Sequence, residues 1–455
     1  MEYKFLDRGK EISLFEELYE SEKPKLIILY GRRRIGKTEL LKQFLKKHGG
    51  IYLLARQEPE KDQLEKFSIQ IAEFFNDDAL KANPFRSWDA LFVYLLGKPK
   101  VPLIFDEFPF AVQSSKQLPS IIQDYWDNRF SRSNHFIVLC GSSINMMEAL
   151  LGHKSPLYGR RTEQILLEPL GFREACLFFP NQMPLKEKII YYSLLGGIPA
   201  YLLEFDFKKS LKENLKENLL RKNKFLYQDA MFVLQEELKE PRNYFAILKS
   251  LAKGNTKIGL ISNDTGLEKS FVNKYLSVLM SLQIVEKRVP ITEKNSMKSR
   301  KGLYFIKDNF FKSWFKFVFE NQEYIEQERQ DKLIEEKILP SLNPFAGPIF
   351  EDIVLSEMVK SEKYRSYLFG RWWDRGMESD IVGIDKKNKK IIIGEVKFSK
   401  LSKKDISRIE GSIRAKAKEI NHYGFDEHFM IICLDCEAYK SENLEVIRFQ
   451  DMVGS

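Results

Sequence analysis

The chain has 455 residues, of which 44% are hydrophobic and 30% are charged, a composition typical of globular proteins, and at ~150 residues per domain it predicts about three domains. Apolar runs of the ~18 residues needed to cross a bilayer are absent, and the charged start lacks the apolar core of a signal peptide, which excludes a membrane protein and predicts a cytoplasmic one. Four cysteines are too few for a disulfide framework, and the five scattered histidines give no support for a histidine-built metal site. The net charge of +9 permits a polyanionic partner without requiring one.

A phosphate-binding loop dominates the first part of the chain. The apolar run LIILY is followed by GRRRIGKT and then by the helical pattern ELLKQFLKKH. The glycines let successive backbone N–H groups point at phosphate oxygens, and the following helix presents its positive N-terminal end. The predicted nucleotide contacts are Gly31, Arg32, Arg33, Arg34, Ile35, Gly36, Lys37 and Thr38.

Two acids end a later buried strand, VPLIFDEF, about 70 residues beyond the loop. A nucleotide hydrolase needs one carboxylate for Mg²⁺ and one to deprotonate or orient the attacking water. We expect Asp106 and Thr38 to bind the Mg²⁺ ion and Glu107 to deprotonate or orient the attacking water. By contrast, Arg8 and Glu11, which precede the loop, are expected to be surface charges.

Two further stretches could reach the γ-phosphate. HFIVLCGSS predicts a strand whose carboxyl end carries Ser142 and Ser143, although Gly-Ser-Ser is equally typical of a plain turn. SPLYGRRT places Arg160 and Arg161 before a last strand, TEQILL. An arginine there would stabilise charge that develops during phosphoryl transfer, and a solvated basic turn is the alternative.

Three helical patterns between residues 233 and 282 end in a β-rich stretch, which predicts a winged helix-turn-helix. Its third helix would expose Lys269, Ser270, Asn273 and Lys274. Such modules bind DNA, but they also act as spacers and protein contacts, so both interpretations stay open. The basic wing would contain Lys287, Arg288, Lys294, Lys298, Arg300 and Lys301.

The last part of the chain carries an Asp and a Glu-x-Lys on two adjacent predicted strands. The strands SDIVGID and IIIGEVKF form a hairpin that places Asp380 beside Glu395 and Lys397. Nucleases of the restriction-endonuclease type use two such acids to hold Mg²⁺ and the lysine to position a water. Glu351, on the preceding helix, could complete the metal site.

Together these blocks resemble the archaeal ATPase family, whose members are AAA-like, signal-transducing P-loop NTPases with a winged helix and a restriction-endonuclease-like domain. FLDRGKEISLFEEL, GRRRIGKTEL, PLIFDEF, GGIPAYL and GRWWDRGMESDIVGID carry the resemblance. It implies ATP as the nucleotide. One departure concerns Glu378-Ser379-Asp380, where relatives typically have Glu-Ile-Asp; both acids are kept.

The resulting prediction is a multidomain α/β protein: a P-loop ATPase core over residues 1–170, a helical lid over 171–232, a winged helix-turn-helix over 233–325 and a restriction-endonuclease-like domain over 326–455. We predict an ATP- and Mg²⁺-dependent switch coupled to a DNA-binding or nuclease-like domain. The alternative is a non-catalytic regulator or scaffold whose last domain only binds nucleic acid or protein. DNA is a candidate partner, a membrane is not, and homo-oligomerisation is left open.

Overall fold

The computed structural model describes residues 8–238, 240–293, 299–420 and 424–454. These residues divide into two compact units: the described parts of Met1–Pro169 with Ile198–Ala200, and the described parts of Leu170–Gly197 with Tyr201–Ser455. Lys294 and Lys298, two of the predicted wing residues, lie outside the described residues.

The first unit is built on a parallel sheet of five strands in the order β2-β3-β4-β1-β5. Its central strands β1, β3 and β4 are buried along almost their whole length and are mostly apolar, as expected for a parallel sheet with both faces covered. The elements are α1 Gly9–Glu20, β1 Lys25–Tyr30, α2 Lys37–His48, β2 Ile51–Leu54, α3 Glu60–Phe75, α4 Asp78–Ala82, α5 Trp88–Leu96, β3 Pro102–Asp106, α6 Phe108–Ser114, α7 Leu118–Asn128, β4 Phe136–Gly141, α8 Ile144–Leu151 and β5 Glu163–Leu166.

This strand order places β1 between β4 and β5, with β3 on the far side of β4. The carboxyl ends of β1, β3 and β4 therefore lie side by side at one edge of the sheet, where ligands of open α/β sheets bind. The phosphate loop, the Asp-Glu pair and Ser142 follow these three strands. The P-loop-type α/β core is thus confirmed.

The second unit begins with helices and a short antiparallel ribbon. Its elements up to the ribbon are α9 Phe172–Cys176, α10 Leu185–Leu195, α11 Pro199–Leu202 (which crosses the division between the units), α12 Leu211–Asn214, α13 Phe225–Glu237, α14 Pro241–Ala252, α15 Ile258–Thr265, α16 Lys269–Ser281, β6 Val285–Arg288 and β7 Leu303–Ile306. Three helices followed by a β6–β7 ribbon have the element order of a winged helix, and that assignment stays a prediction.

The second unit ends in a mixed sheet of five strands in the order β12-β11-β10-β9-β8. β8, β9 and β10 are antiparallel, whereas β10, β11 and β12 are parallel. Helix α21 packs its apolar stripe, including Ile406 and Ile413, on this sheet. The elements are α17 Asn309–Ser313, α18 Gln322–Glu326, α19 Gln330–Leu333, α20 Leu339–Lys360, β8 Leu368–Asp374, β9 Met377–Asp385, β10 Lys390–Leu401, α21 Lys403–Ile420, β11 Asp426–Cys436, β12 Leu444–Arg448 and α22 Phe449–Val453.

Candidate functional site

The phosphate loop lies between β1 and α2, as the sequence predicts. Gly31 has φ 154°, and a Cβ there would lie 2.5 Å from the carbonyl oxygen of Leu167, so only glycine fits. Gly36 has φ 98° and precedes the first residue of α2. Of the loop side chains, Arg32 and Ile35 are buried and Arg33 and Arg34 are exposed.

Lys37 folds back over the loop. Its Nζ donates to the carbonyl oxygens of Gly31 at 2.8 Å and of Arg32 at 2.9 Å, and its side chain is only 6% exposed. Burial lowers the pKa of the ammonium, while nearby Cys140, Glu107 and Asp106 oppose that change. The ammonium is thus held at the loop by two neutral acceptors, which phosphate oxygens of opposite charge would replace favourably.

Asp106 is the buried acid at the end of β3, with 1% of its surface exposed. Its Oδ2 accepts hydrogen bonds from Thr38 Oγ1 at 2.8 Å and from the Tyr52 hydroxyl. Burial, followed by the bond to Asp106, raises the pKa of Tyr52, which therefore remains a donor. A hydroxyl and a carboxylate oxygen at this spacing fit the all-oxygen shell that Mg²⁺ prefers. No pattern in the sequence singles out Tyr52.

Glu107 adopts the left-handed conformation, with φ 52° and ψ 39°, although it is not glycine. Its Oε2 accepts from Ser142 Oγ at 2.8 Å and from the Ser142 backbone N–H at 3.3 Å. Residues in this conformation are uncommon and concentrate at functional sites. The structure therefore joins Glu107 and Ser142 by hydrogen bonds, whereas Ser143 caps α8.

Arg8 braces the phosphate loop, so the prediction of a surface charge was wrong. Its guanidinium donates to the carbonyl oxygens of Ile35 at 3.0 Å and Glu168 at 2.8 Å, and pairs with Glu11 at 3.1 Å. Only 7% of Arg8 is exposed. The partner at residue 168 is far away in sequence, which explains why local patterning could not reveal this role.

Replacing Arg8 by alanine is expected to lower the free energy of unfolding by ~2–3 kcal/mol, because two carbonyl oxygens lose a charged donor. ATP affinity should fall as well, since one of those oxygens lies in the loop. Thermal denaturation and nucleotide titration would measure both effects. Arg86→Ala, which removes an exposed arginine of the same unit, is the control; equal melting temperatures for the two variants would contradict the bracing role.

Arg160 and Arg161 lie before β5, but their surroundings differ. Arg160 forms a forked ion pair with Asp127 of α7, at 2.8 Å, and donates to the carbonyl oxygens of Pro156 and Tyr158. Arg161 has a buried Nη1 without a hydrogen-bond partner among the described residues. These observations do not test whether either arginine acts as an arginine finger, so that role stays a prediction for both.

The hairpin of β9 and β10 brings Asp380, Glu395 and Lys397 together. Lys397 Nζ lies 2.7 Å from Glu395 Oε2 and 3.4 Å from Asp380 Oδ2, and Asp380 also accepts from the Val396 backbone N–H at 2.9 Å. The buried Ser379 donates to the Gly394 carbonyl oxygen at 3.0 Å, which satisfies its hydroxyl at this apolar position. The predicted juxtaposition is therefore present in the structure.

The acids of this cluster are already paired with bases. Glu395 also bonds Lys416 of α21 at 2.7 Å, a contact that the sequence did not suggest. Glu351 forms an ion pair with Arg371 of β8. Burial, together with the neighbouring Asp380 carboxylate, raises the pKa of Glu351 to about 7. Within the described residues the structure shows no group of three or more His, Cys, Asp or Glu able to hold a metal, so the three-carboxylate site stays a prediction.

Asp352, which sequence reasoning missed, is the centre of an ion-pair network beside this cluster. Its oxygens lie 2.8 Å from Arg371 and 2.8 Å from Arg288 of β6, with Lys312 at 3.7 Å. These three bases hold the pKa of Asp352 down to about 2 even though burial acts in the opposite direction. Arg288, predicted as one of the basic residues of the wing, lies in β6 and turns toward Asp352 of α20.

The other predicted DNA contacts lie where the sequence places them. Lys269, Ser270, Asn273 and Lys274 are all exposed on α16, whereas Lys287 lies within β6 and Arg300 and Lys301 lie just before β7. Lys301 is engaged by Asp374 at 3.1 Å and Glu293 at 3.7 Å. DNA contact by this region stays a prediction.

Comparison with known proteins identifies the chain. An ATPase domain model, described as predominantly from Archaea, matches residues 5–205. An uncharacterised protein of Methanocaldococcus jannaschii is 31% identical over 98% of this chain and 99% of its own length. The chain belongs to the archaeal ATPase family. It is thus a nucleotide-binding ATPase of that family.

The last part of this archaeal ATPase matches a second family model over residues 314–409, described as archaeal and bacterial proteins of unknown function. Another uncharacterised M. jannaschii protein is 26% identical over 56% of the chain and 52% of its own length.

Among solved structures, the match to a Walker-type ATPase of Pyrococcus abyssi covers 69% of this chain and 97% of that protein's chain, with 21% identity and a TM-score of 0.49. The match to the Aeropyrum pernix ORC2 protein covers 73% of this chain and 95% of that protein's chain, with 13% identity and a TM-score of 0.44.

Across the described part of this ATPase, none of the helices combines the length and the apolar character needed to cross a membrane.

Proposed function

We propose that this ATPase hydrolyses Mg²⁺-bound ATP at the Gly31–Thr38 loop and that its nucleotide state controls DNA processing by its C-terminal region. The observation that carries the hydrolysis step is the Glu107 carboxylate, which Ser142 holds beside the Thr38–Asp106 pair. The observation that supports DNA processing is the cluster of Asp380, Glu395 and Lys397.

The loop residues would divide the work on the nucleotide. The backbone N–H groups and Lys37 would bind the phosphates, and Thr38 and Asp106 would hold Mg²⁺, whose charge would stabilise the negative charge that develops on the phosphoryl oxygens. Glu107 accepts the proton of the attacking water. Ser142 keeps the carboxylate aimed by donating to Oε2. Arg160 or Arg161, in its own chain or a neighbouring copy, would stabilise the transferred phosphoryl group.

At the second cluster, Asp380 and Glu395 would hold the metal, with Glu351 as a further ligand, and Lys397 would position the attacking water. The metal would supply Lewis-acid polarisation of a phosphodiester. For Asp380 and Glu395 to hold the metal ion, their carboxylates must contact both the metal and the ammonium of Lys397. The contact of Lys397 with Asp380, at 3.4 Å, is longer than its contact with Glu395 and is therefore the one that a metal ion would displace more easily.

Lys37→Ala is expected to lower kcat/KM for ATP ~10- to 100-fold, from the ~1.5–3 kcal/mol that hydrogen bonds to charged groups contribute. The matched control is Lys42→Ala, an exposed lysine on the same helix. Hydrolysis would be measured with and without DNA. A rate that DNA does not change would refute the coupling, and equal rates for the two variants would refute the loop assignment.

A specific observation favours a second candidate, a regulator whose C-terminal region binds nucleic acid or protein without cleaving. Each acid of the cluster is engaged by a base: Glu351 by Arg371, Asp380 by Lys397, and Glu395 by both Lys397 and Lys416. If Asp380→Ala changes neither cleavage nor cellular effect while Lys37→Ala abolishes the effect, this candidate is the correct one.

A further inference from the structure

A basic cavity of about 910 Å³ lies within the second unit, next to the Asp380 cluster. The β6–β7 ribbon and its neighbouring helices form one side, with Lys257, Arg300 and Lys316 among the lining residues. Strands β8 and β9 and helix α20 form the other. Glu351 and Asp380 line the cavity, so whatever occupies it lies against the carboxylates of the cluster.

The residues that line this cavity carry more positive than negative charge. Eight lysines and arginines line it against five aspartates and glutamates. Of the eight, Arg288, Lys301, Lys312 and Arg371 have carboxylate partners. The other four have no ion-pair partner in residues 8–238, 240–293, 299–420 and 424–454, which leaves positive charge for an anionic ligand: Lys257, Arg300, Lys316 and Arg375.

Aromatic rings lie between these charges. Phe305, Phe345 and Trp373 line the cavity, and Lys316 Nζ lies 5.6 Å from the centre of the Phe345 ring. The Trp373 indole is fixed by a hydrogen bond from Nε1 to the Lys301 carbonyl oxygen at 3.1 Å. Cations that track a phosphate backbone, interleaved with rings on which bases stack, are the two elements of single-strand binding sites.

The size of the cavity favours single-stranded over double-stranded nucleic acid. A space of about 910 Å³ has the volume of a sphere about 12 Å across, which is the width of the major groove alone and therefore less than the width of the whole double helix. An intact double helix cannot enter such a space, whereas a few unpaired nucleotides can.

We propose that this cavity binds a single strand of nucleic acid, whose phosphates contact Lys257, Arg300, Lys316 and Arg375. Delivery of that strand to Asp380 for cleavage rests on the proposed function, but binding does not, because it requires neither metal nor ATP. The ribbon and the end of α14 thereby gain a role as walls of a strand-binding site.

The test is the affinity of the full chain for a fluorescent 12-nucleotide single strand, in EDTA and without ATP, at several salt concentrations. The variant Lys257→Gln, Arg300→Gln, Arg375→Gln removes three exposed cations of the cavity. The control Lys386→Gln, Lys387→Gln, Lys404→Gln removes the same charge from exposed positions outside it. We expect the slope of log K against log salt to fall by about two for the cavity variant, from ~0.7 per lost phosphate contact, and affinity to fall at least ~10-fold.

Three results would overturn the proposal: equal losses for the cavity and control variants, equal or tighter binding of a blunt duplex, or equal competition by polyglutamate of matched charge. Preferential binding with a defect confined to the cavity variant would support it. Melting temperatures and ATP hydrolysis of both variants verify that they fold. A chain that binds the strand but never hydrolyses ATP would refute the proposed function and leave this site standing.

Discussion

Glu107→Gln is expected to lower kcat for ATP hydrolysis by ~100- to 10,000-fold, the usual contribution of a positioned general base. ATP affinity should stay within a factor of about three, because in the proposed site the phosphate contacts would come from the loop and Lys37. The amide is the same size as the carboxylate, and its oxygen can still accept from the Ser142 hydroxyl, so the fold should be unchanged. Single-turnover hydrolysis and nucleotide titration separate the two quantities.

The control for this variant is Glu148→Gln, an identical change at an exposed position of α8. Ser142→Ala adds a graded test: the Glu107 carboxylate stays but loses one of its two donors, so kcat should fall by a smaller factor. A Glu107→Gln variant that hydrolyses ATP at the wild-type rate would show that another group accepts the proton.

If Asp380 holds the metal as proposed, Asp380→Asn is expected to reduce Mg²⁺-dependent nicking of DNA by at least ~100-fold, because a metal contributes several kcal/mol to such reactions and would lose one of its carboxylates. The asparagine oxygen can still accept from the Val396 N–H, so the hairpin should persist. Plasmid nicking and degradation of single strands would be followed with Mg²⁺, with Mn²⁺ and with EDTA, which should abolish cleavage by the wild type.

Asp426→Asn is the matched control for Asp380→Asn: it makes the same substitution on the same sheet, at the start of β11 and five residues before the partner of Glu395. Activity that falls equally in both variants would point to a general defect of the sheet. If the wild type cleaves under none of these metals, the region is a binding module and the second candidate function stands.

The network around Asp352 shows where sequence reasoning reached its limit. Asp380, Glu395 and Lys397 could be predicted to meet because a short turn joins two strands whose side chains alternate with a period of two. Asp352 and Arg288 are 64 residues apart, and no local rule links a helix residue to a strand residue across that separation. Only packing of α20 against the ribbon decides that Arg288 faces inward.

In the nucleotide site, too, some features follow from the sequence and others only from the tertiary structure. The loop from Gly31 to Thr38, and the acids Asp106 and Glu107, are determined by the sequence itself, because each depends on local backbone geometry and on the end of one strand. The order β2-β3-β4-β1-β5 was not readable from the sequence. That order brings Tyr52 to Asp106 and Ser142 to Glu107, since hydrogen bonds between side chains form across neighbouring strands.

The sequence by itself therefore determined the chemistry: a phosphate cradle, two acids beside it, and a carboxylate and lysine cluster near the end of the chain. The tertiary structure alone decided which groups support that chemistry, namely Arg8 beneath the loop, Ser142 on Glu107, and Arg371, Lys416 and Asp352 around the last cluster. The physical reason is that reactive groups follow from residue type and short spacing, whereas buried charges and carbonyl oxygens find their partners only when distant segments pack together.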